Sequence, residues 1–212
     1  MGTRNLICVC YNGRFVVAQY GQYDGYPGGQ GIAVVGFLRR PGNLQRLKDG
    51  LQHTYEAADK EADEAHLQID HLRGLERVAW RAFLEFKGQM LTQEIMDYLT
   101  PSLHPLTGAG ILDIITYASE EKKVPIKLDL PLPAGWPHEW LYVIDLDGAV
   151  LEVFNGCVQR GNRGHRFKDV AEGDGLPACI FSFPFSELEK MEDENEFLER
   201  LNEALRKRSD AV

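Results

Sequence analysis

Asn12-Gly13 stands between two runs rich in β-branched and aromatic residues, Asn-Leu-Ile-Cys-Val-Cys-Tyr at 5–11 and Arg-Phe-Val-Val-Ala-Gln-Tyr at 14–20. Asn-Gly accepts the two positive φ angles of a type I′ turn, so the runs pair as an antiparallel hairpin whose turn sets their register. With a two-residue loop Tyr11 faces Arg14, and counting outward sets Leu6 against Gln19, Asn5 against Tyr20 and Thr3 against Gln22. Polar side chains then gather at the open end of the hairpin, away from its turn.

Asp147-Gly148 repeats this turn chemistry, with strands over 139–146 and 149–155 that set Ile144 against Leu151, Tyr142 against Val153 and Trp140 against Asn155. Residues 177–183 read as a further strand. Helical spacing recurs at Ile32, Val35, Phe37 and Leu38 before the Pro41-Gly42 stop, and over 106–118 with Ile111, Leu112 and Ile115 inside. Two successive capping boxes, Ser186 with Glu189 and Asp193 with Glu196, mark a C-terminal helix that reaches about Arg206 after a break near Asp193. The stretch from about 44 to 99 reads as a charged helical insertion with a solvated face. Together these elements predict one domain over 1–212 of α+β class. Its antiparallel sheet or sheets are built from two hairpins and a further strand and covered by helices, an αββα layering being one form of this.

The net charge of −9 and the isoelectric point near 5.2 repel phosphate backbones and anionic membrane surfaces. Arg160, Arg163, Arg166 and Lys168 form the one basic run, so a nucleic-acid partner is expected only through them, and a solvated loop is the plainer reading. The longest apolar runs are too short to span a membrane. Cys8, Cys10, Cys157 and Cys179 lack CxxC spacing and follow no apolar leader, so reduced thiols in a cytoplasmic protein are expected. Cys8 and Cys10 share one strand face and read as small core residues. No histidine pair has ligand spacing and no phosphate-loop or dinucleotide fingerprint occurs, so neither metal nor cofactor is expected.

Residues 19–31 spend polar, aromatic and glycine residues beyond what a fold requires: Gln-Tyr-Gly-Gln-Tyr-Asp-Gly-Tyr-Pro-Gly-Gly-Gln-Gly. At the open hairpin end Thr3, Arg4, Asn5, Gln19 and Gln22 converge with Asp24 and Tyr26 on the following turn. Glutamines read an amide or a carboxylate, Arg4 neutralises an anion, and Asp24 orients a base or binds an amine. Tyr23, Tyr26 and Gln30 complete the candidate binding set. Glycines at 25, 28, 29 and 31 leave backbone N–H groups for a carboxylate or phosphate ahead of a helix. The plainer alternative is ordinary turn chemistry, with polar side chains satisfying nearby backbone. Asp145 and Glu152 share a hairpin face, either as a carboxylate pair or as two solvated groups.

Met-Gly-Thr-Arg-Asn-Leu at 1–6, followed by Gln19-Tyr20-Gly21-Gln22-Tyr23-Asp24-Gly25-Tyr26-Pro27 and Gly29-Gln30-Gly31, resembles a widespread family of uncharacterised small proteins of bacteria, phages and fungi. Leu106-Thr107-Gly108-Ala109 and the Glu139–Asp147 stretch with Glu152-Val153 extend the likeness over most of the length. The resemblance implies no activity. Tyr23 stands where that family commonly has tryptophan, and Leu106 where a charged pair often precedes Thr-Gly. A weaker resemblance, to the N-terminal nucleophile hydrolases, implies a nucleophile at Thr3 freed at a Gly2-Thr3 junction, although methionine removal alone exposes Gly2. The function expected is acyl transfer at an amide of a small polar substrate, by hydrolysis or bond formation. Thr3 or a bound water serves as nucleophile, Asp24 as orienter or base, and Asn5, Gln19 and Gln22 as donors to the carbonyl. The alternative is a non-catalytic module that binds a small ligand or a peptide through the same residues.

Overall fold

The computed structural model describes residues 2–65, 67, 101–130, 132, 139–160, 166–170 and 176–209. A five-stranded sheet in the order β2-β1-β5-β6-β7 organises them: β1 Asn5–Tyr11, β2 Arg14–Gly21, β5 Trp140–Asp145, β6 Val150–Arg160 and β7 Leu176–Pro184. A two-stranded parallel ribbon, β3 Thr54–Glu56 with β4 Val124–Ile126, lies outside it. The helices are α1 Ile32–Arg39, α2 Asn43–Leu51, α3 Gly110–Ile115, α4 Phe185–Leu188 and α5 Glu194–Ser209. The class is α+β. An αββα layering would need two stacked sheets, whereas the described residues hold one large sheet and the ribbon.

The second hairpin pairs Ile144 with Leu151, Tyr142 with Val153 and Trp140 with Asn155, in the register that its turn dipeptide fixes. The turn itself is wider than two residues. Asp145 and Val150 are the last pair, the Asp145 carboxylate accepts the N–H groups of Asp147 and Gly148, and the positive φ falls on Ala149. The two hairpins join through β1 and β5, which run parallel with Asn5 beside Trp140 and Cys10 beside Asp145. The sheet is therefore mixed rather than wholly antiparallel. A long crossover between β2 and β5 permits the parallel pair, and no local sequence signal announces it.

The first hairpin departs from its expected register. Asn12 and Gly13 take positive φ as expected and Tyr11 faces Arg14, but Cys10 pairs with Phe15 and Val9 with Val17, leaving Val16 as an extra residue. Beyond this bulge every pair is shifted by one: Ile7 faces Gln19, Leu6 faces Tyr20 and Asn5 faces Gly21. A shift of one turns side chains to the other face of the sheet. Gln19 thus lies on the same face as Asn5, Ile7 and Val9.

That face carries the larger core, where Ile7, Val9, Val17, Tyr142, Ile144, Leu151 and Val153 pack against α1, α3, α4 and α5. α1 buries Val34, Val35, Phe37 and Leu38 and stops at Arg39 ahead of Pro41. The middle helix is shorter than the 106–118 expected: 106–109 form a turn, and α3 then buries Ile111, Leu112, Ile114 and Ile115. Asp193 accepts the N–H groups of Asn195 and Glu196 and so starts α5, whereas α4 begins at Phe185 behind Pro184 with no side-chain cap from Ser186. The opposite face packs Leu6, Cys8, Cys10, Leu141, Val143 and Phe154 under Leu132, Phe167 and partly buried Leu128, Leu130 and Val170. Phe167 stacks on Phe15 at 5.4 Å and meets Phe154 edge-on at 5.2 Å. Of the charged insertion expected near 44–99, residues 66 and 68–100 lie outside the described residues. Its described part gives α2, then, in place of helix, the strand β3, where Thr54 and Tyr55 favour extended backbone, and helix again over 59–65. Among the described residues no helix is long and apolar enough to cross a membrane.

Candidate functional site

Asn5 opens β1 and Gln19 nears the end of β2, both on the helix-covered face, and both are buried, Gln19 at 2% exposure. Asn5 Nδ2 donates to the carbonyls of Gly21 and Tyr23, each at 3.3 Å. Gln19 Nε2 donates to the carbonyls of Tyr20 at 3.4 Å and His104 at 3.2 Å. Because both amide nitrogens face carbonyls, neither group can be turned over without setting oxygen against oxygen. The remaining atoms, Asn5 Oδ1 and Gln19 Oε1, are buried acceptors with no donor. The role expected of these two residues, donors to a substrate carbonyl, is thus taken up by main chain, and what each has left to offer is an acceptor.

The glycine-rich segment follows β2 and is tied to the Asn5 end of β1 through the Tyr23 carbonyl and Thr3. Gly25 N–H donates to the Thr3 carbonyl at 2.9 Å, Gly29 N–H to Tyr26 at 2.9 Å and Gln30 N–H to Asp24 at 2.8 Å. Pro27 starts a single π-type turn, Pro27–Gly31, that runs directly into α1. The N–H groups of Gly25, Gly29 and Gln30 are consequently spent within the loop, and the anion cradle expected from the glycines is closed at those positions. A Cβ at Gly29 would lie 2.2 Å from the Asp24 carbonyl oxygen, so that close approach admits only glycine. Tyr142, fully buried from β5, donates its hydroxyl to the Gly25 carbonyl at 2.9 Å, and burial pushes that phenol well above its usual range.

A second segment clamps the loop from the side. Gln22 N–H donates to Pro105 at 3.0 Å, and Gln30 Oε1 accepts Ala109 N–H at 2.7 Å. Gly108, at φ +49°, lies so near the Gln30 side chain that a Cβ would come within 2.5 Å of it. Buried His104 takes the Leu106 N–H on Nδ1 at 3.2 Å. His104 and Tyr142 were missed as parts of this site by sequence reasoning. Nothing local to Leu106-Thr107-Gly108-Ala109 shows in the sequence that it meets Gln30.

What remains outward is a rim. Thr3 and Gln30 are half-buried, and Arg4, Gln22, Tyr23, Asp24 and Tyr26 are exposed, the two tyrosines at 43% and 47%. Strand alternation turns Arg4 to the opposite face from Thr3 and Asn5, and its carbonyl accepts the N–H groups of Glu139 and Trp140. Asp24 adopts φ +54°, the left-handed region that few L residues enter. Among the described residues its carboxylate accepts no hydrogen bond and forms no ion pair.

The far end of the same strands holds a different polar cluster. Arg166 bonds Asp145 at 2.6 Å through Nη2 and Glu152 through Nε, all three side chains being mostly buried. Asp145 and Glu152 are therefore neither a bare carboxylate pair nor two solvated groups. Burial pushes the Asp145 carboxyl up, but the Gly148 N–H, the Arg166 guanidinium and the Asp147 N–H outweigh it and hold the group below its ordinary range. Cys10, next to this triad, has its thiol pushed up to about 11, chiefly by burial, and burial also raises Cys8. Asp147 accepts the N–H groups of Asn12 at 3.1 Å and Gly13 at 2.9 Å, joining the two hairpin turns. Of the basic run, Arg166 is committed to carboxylates, Lys168 is exposed, the side chain of Arg160 is not among those described, and Arg163 lies outside the described residues. Among the described residues no group of three or more His, Cys, Asp or Glu is placed to hold a metal ion.

Comparison of the chain with family models, with curated proteins and with solved structures finds no match to any of them.

Proposed function

We propose that the open end of the first hairpin is a binding site for a small polar ligand and that the protein acts as a binding module. The observation that carries this reading is the pair of buried, donorless oxygens, Asn5 Oδ1 and Gln19 Oε1, on one face of the hairpin's open end, with Asn5 bonded to the turn that bears the exposed Tyr23, Asp24 and Tyr26. Buried polar groups are nearly always paired and an unpaired acceptor costs about 1–3 kcal/mol, so two of them near one end of the hairpin call for a donor from outside the chain, a bound water or a ligand. The glycine-rich loop is held by main-chain bonds and by the Gln30–Ala109 clamp, which presents the rim side chains without using them.

Acyl transfer at an amide is the second reading. One observation favours it: the Gly25–Thr3 bond puts a hydroxyl-bearing residue beside the Asp24 turn, so a nucleophile and a carboxylate share the rim. Against it stands the commitment of the Asn5 and Gln19 amide nitrogens and of the Gly25, Gly29 and Gln30 N–H groups, which leaves an oxyanion short of donors. Two measurements separate the readings. Titrating the labelled protein with small amides and amines is expected to move amide resonances of residues 19–31 saturably, with no turnover of acyl-anilide substrates. Turnover that disappears in Thr3→Ala and Asp24→Asn, with the fold intact, would overturn the binding reading in favour of catalysis.

A further inference from the structure

We propose that Asn12 is a site of spontaneous deamidation held in check by Asp147, so that the contact joining the two hairpin turns also protects the first of them from covalent change. The inference concerns the turn end of the sheet and is independent of the ligand reading above.

An Asn-Gly pair is prone to cyclise because glycine has no side chain to obstruct attack by its own main-chain nitrogen on the preceding carboxamide carbon. At this turn the Gly13 nitrogen would lose its proton and bond to Asn12 Cγ, the Cγ–Nδ2 bond would break, and the amide would leave with that proton as ammonia. A five-membered succinimide results. Solvent water then opens one or other ring carbonyl, giving aspartate, or isoaspartate with an added methylene in the main chain.

The nitrogen must first give up its proton, and the fold holds that proton at each such junction among the described residues. Gly25 N–H donates to the Thr3 carbonyl at 2.9 Å, Gly148 N–H to Asp145 Oδ1 at 2.8 Å and Gly156 N–H to the Glu139 carbonyl at 3.1 Å. Gly50 lies inside α2, within the helical ladder. Gly13 N–H donates to Asp147 Oδ2 at 2.9 Å, and Asp147 Oδ1 takes the Asn12 N–H at 3.1 Å.

Asn12-Gly13 is the junction where this hold matters most. Both residues are exposed, and a Cβ at Gly13 would meet nothing within 4 Å, so hydroxide reaches the nitrogen. An asparagine cyclises more readily than an ionised aspartate, whose charge repels the attacking nitrogen. Asn155, before Gly156, is enclosed in the sheet between Trp140 and Ala178. The guard of Gly13 is instead a single side chain 134 residues away in sequence, and it carries negative charge. A carboxylate against an N–H opposes loss of its proton, just as a nearby like charge raises the pKa of any acid. Asp147 is set in place by its own N–H, which donates to Asp145 Oδ1 at 3.0 Å, and Arg166 bonds the same Asp145. Deamidation would put a second carboxylate beside Asp147 and so drive the two turns apart.

The test follows conversion in full-length protein at mildly alkaline pH, using mass spectrometry of the tryptic peptides 5–14, which holds Asn12, and 128–160, which holds Asn155. Asn12 is expected to convert about tenfold or more slowly in the folded wild type than in urea. Asp147→Ala should recover most of that difference while Asn155 keeps its folded rate. Equal Asn12 rates in folded and unfolded wild type overturn the protection, and a folded Asp147→Ala no faster than the wild type overturns the role of Asp147. Acceleration of Asn155 together with Asn12 means that Asp147→Ala has unfolded, and Asp147→Ser, which keeps a short acceptor without the charge, then decides. Asn12 at least about threefold faster in that variant, with Asn155 unchanged, upholds the proposal, and any other result overturns it.

Discussion

The two ends of the β1–β5 pair bring polar groups under a roof of loops and satisfy them in opposite ways. At the turn end charge meets charge: Arg166 lies between Asp145 and Glu152, and Asp147 closes the first turn through two N–H groups. At the open end neutral amides meet main-chain carbonyls, and two oxygens are left over. The first arrangement is complete in itself and reads as framework. The second leaves two buried acceptors without a donor among the described residues, which is why the binding proposal is made there and not at the more heavily charged cluster.

The sharpest way to break this contrast is to remove the cation of the turn end. Arg166→Met leaves Asp145 and Glu152 mostly buried and uncompensated, and a loss of about 2–3 kcal/mol is expected in urea-unfolding free energy at neutral pH. A loss under about 1 kcal/mol would mean that the triad is an exposed ion pair of little weight. Acid gives an independent check on sign. Asp145 has its folded pKa below the ordinary value of about 3.9, so its stabilisation is present above that value and is lost as pH falls below it. The wild-type stability should therefore decline below about pH 4, and Arg166→Met should flatten that decline.

The open end is tested by adding charge. Gln19→Glu replaces an amide that donates to Tyr20 and His104 with a buried carboxylate facing the same carbonyls, at an expected cost of about 2 kcal/mol at pH 7. Burial among acceptors raises the folded pKa of such a group above its unfolded value of about 4.3. The variant should then match the wild type below about pH 4 and lose stability as pH rises through the folded pKa. An offset independent of pH between 4 and 8 would show that Gln19 is not held as described. Gln22→Glu, on the exposed rim, should change stability by less than about 0.5 kcal/mol.

These two ends differ as much in how far sequence reveals them. The second hairpin was legible because its apolar alternation and Asp-Gly turn agree, and Ile144, Tyr142 and Trp140 meet the partners expected. In the first hairpin Phe15, Val16, Val17 and Ala18 are all apolar, so alternation cannot reveal which residue is extra, and the register past the bulge was out of reach. The grouping of polar residues at the open end was legible from composition. Their division into buried Asn5 and Gln19 and exposed Gln22, Asp24 and Tyr26 was not, since it depends on the bulge and on contacts with 104–109. Arg166 was read as part of a solvated basic loop because nothing near it in the chain points to Asp145 or Glu152. Helix α1 and the Asp193 cap needed only local signals, and both were found.

A smaller effect than that of Arg166→Met or Gln19→Glu isolates the bulge. Deleting Val16 joins Phe15 to Val17, and because Cys10 already pairs with Phe15 and Val9 with Val17, the ladder closes without moving any pair toward the open end. Gln19 stays opposite Ile7 and keeps its place on the helix-covered face. The half-buried Val16 side chain is lost from the edge of the larger core, a cost of about 1 kcal/mol that a regular ladder partly offsets. Urea unfolding and hydrogen exchange at Gly21 should then show a slightly weakened protein with unchanged protection at the Asn5 pairing. A loss above about 3 kcal/mol, or exposed exchange at Gly21, would mean that the extra residue sets the twist that brings Gln19 and Asn5 together. In that case the open end would be built by backbone strain rather than by register alone.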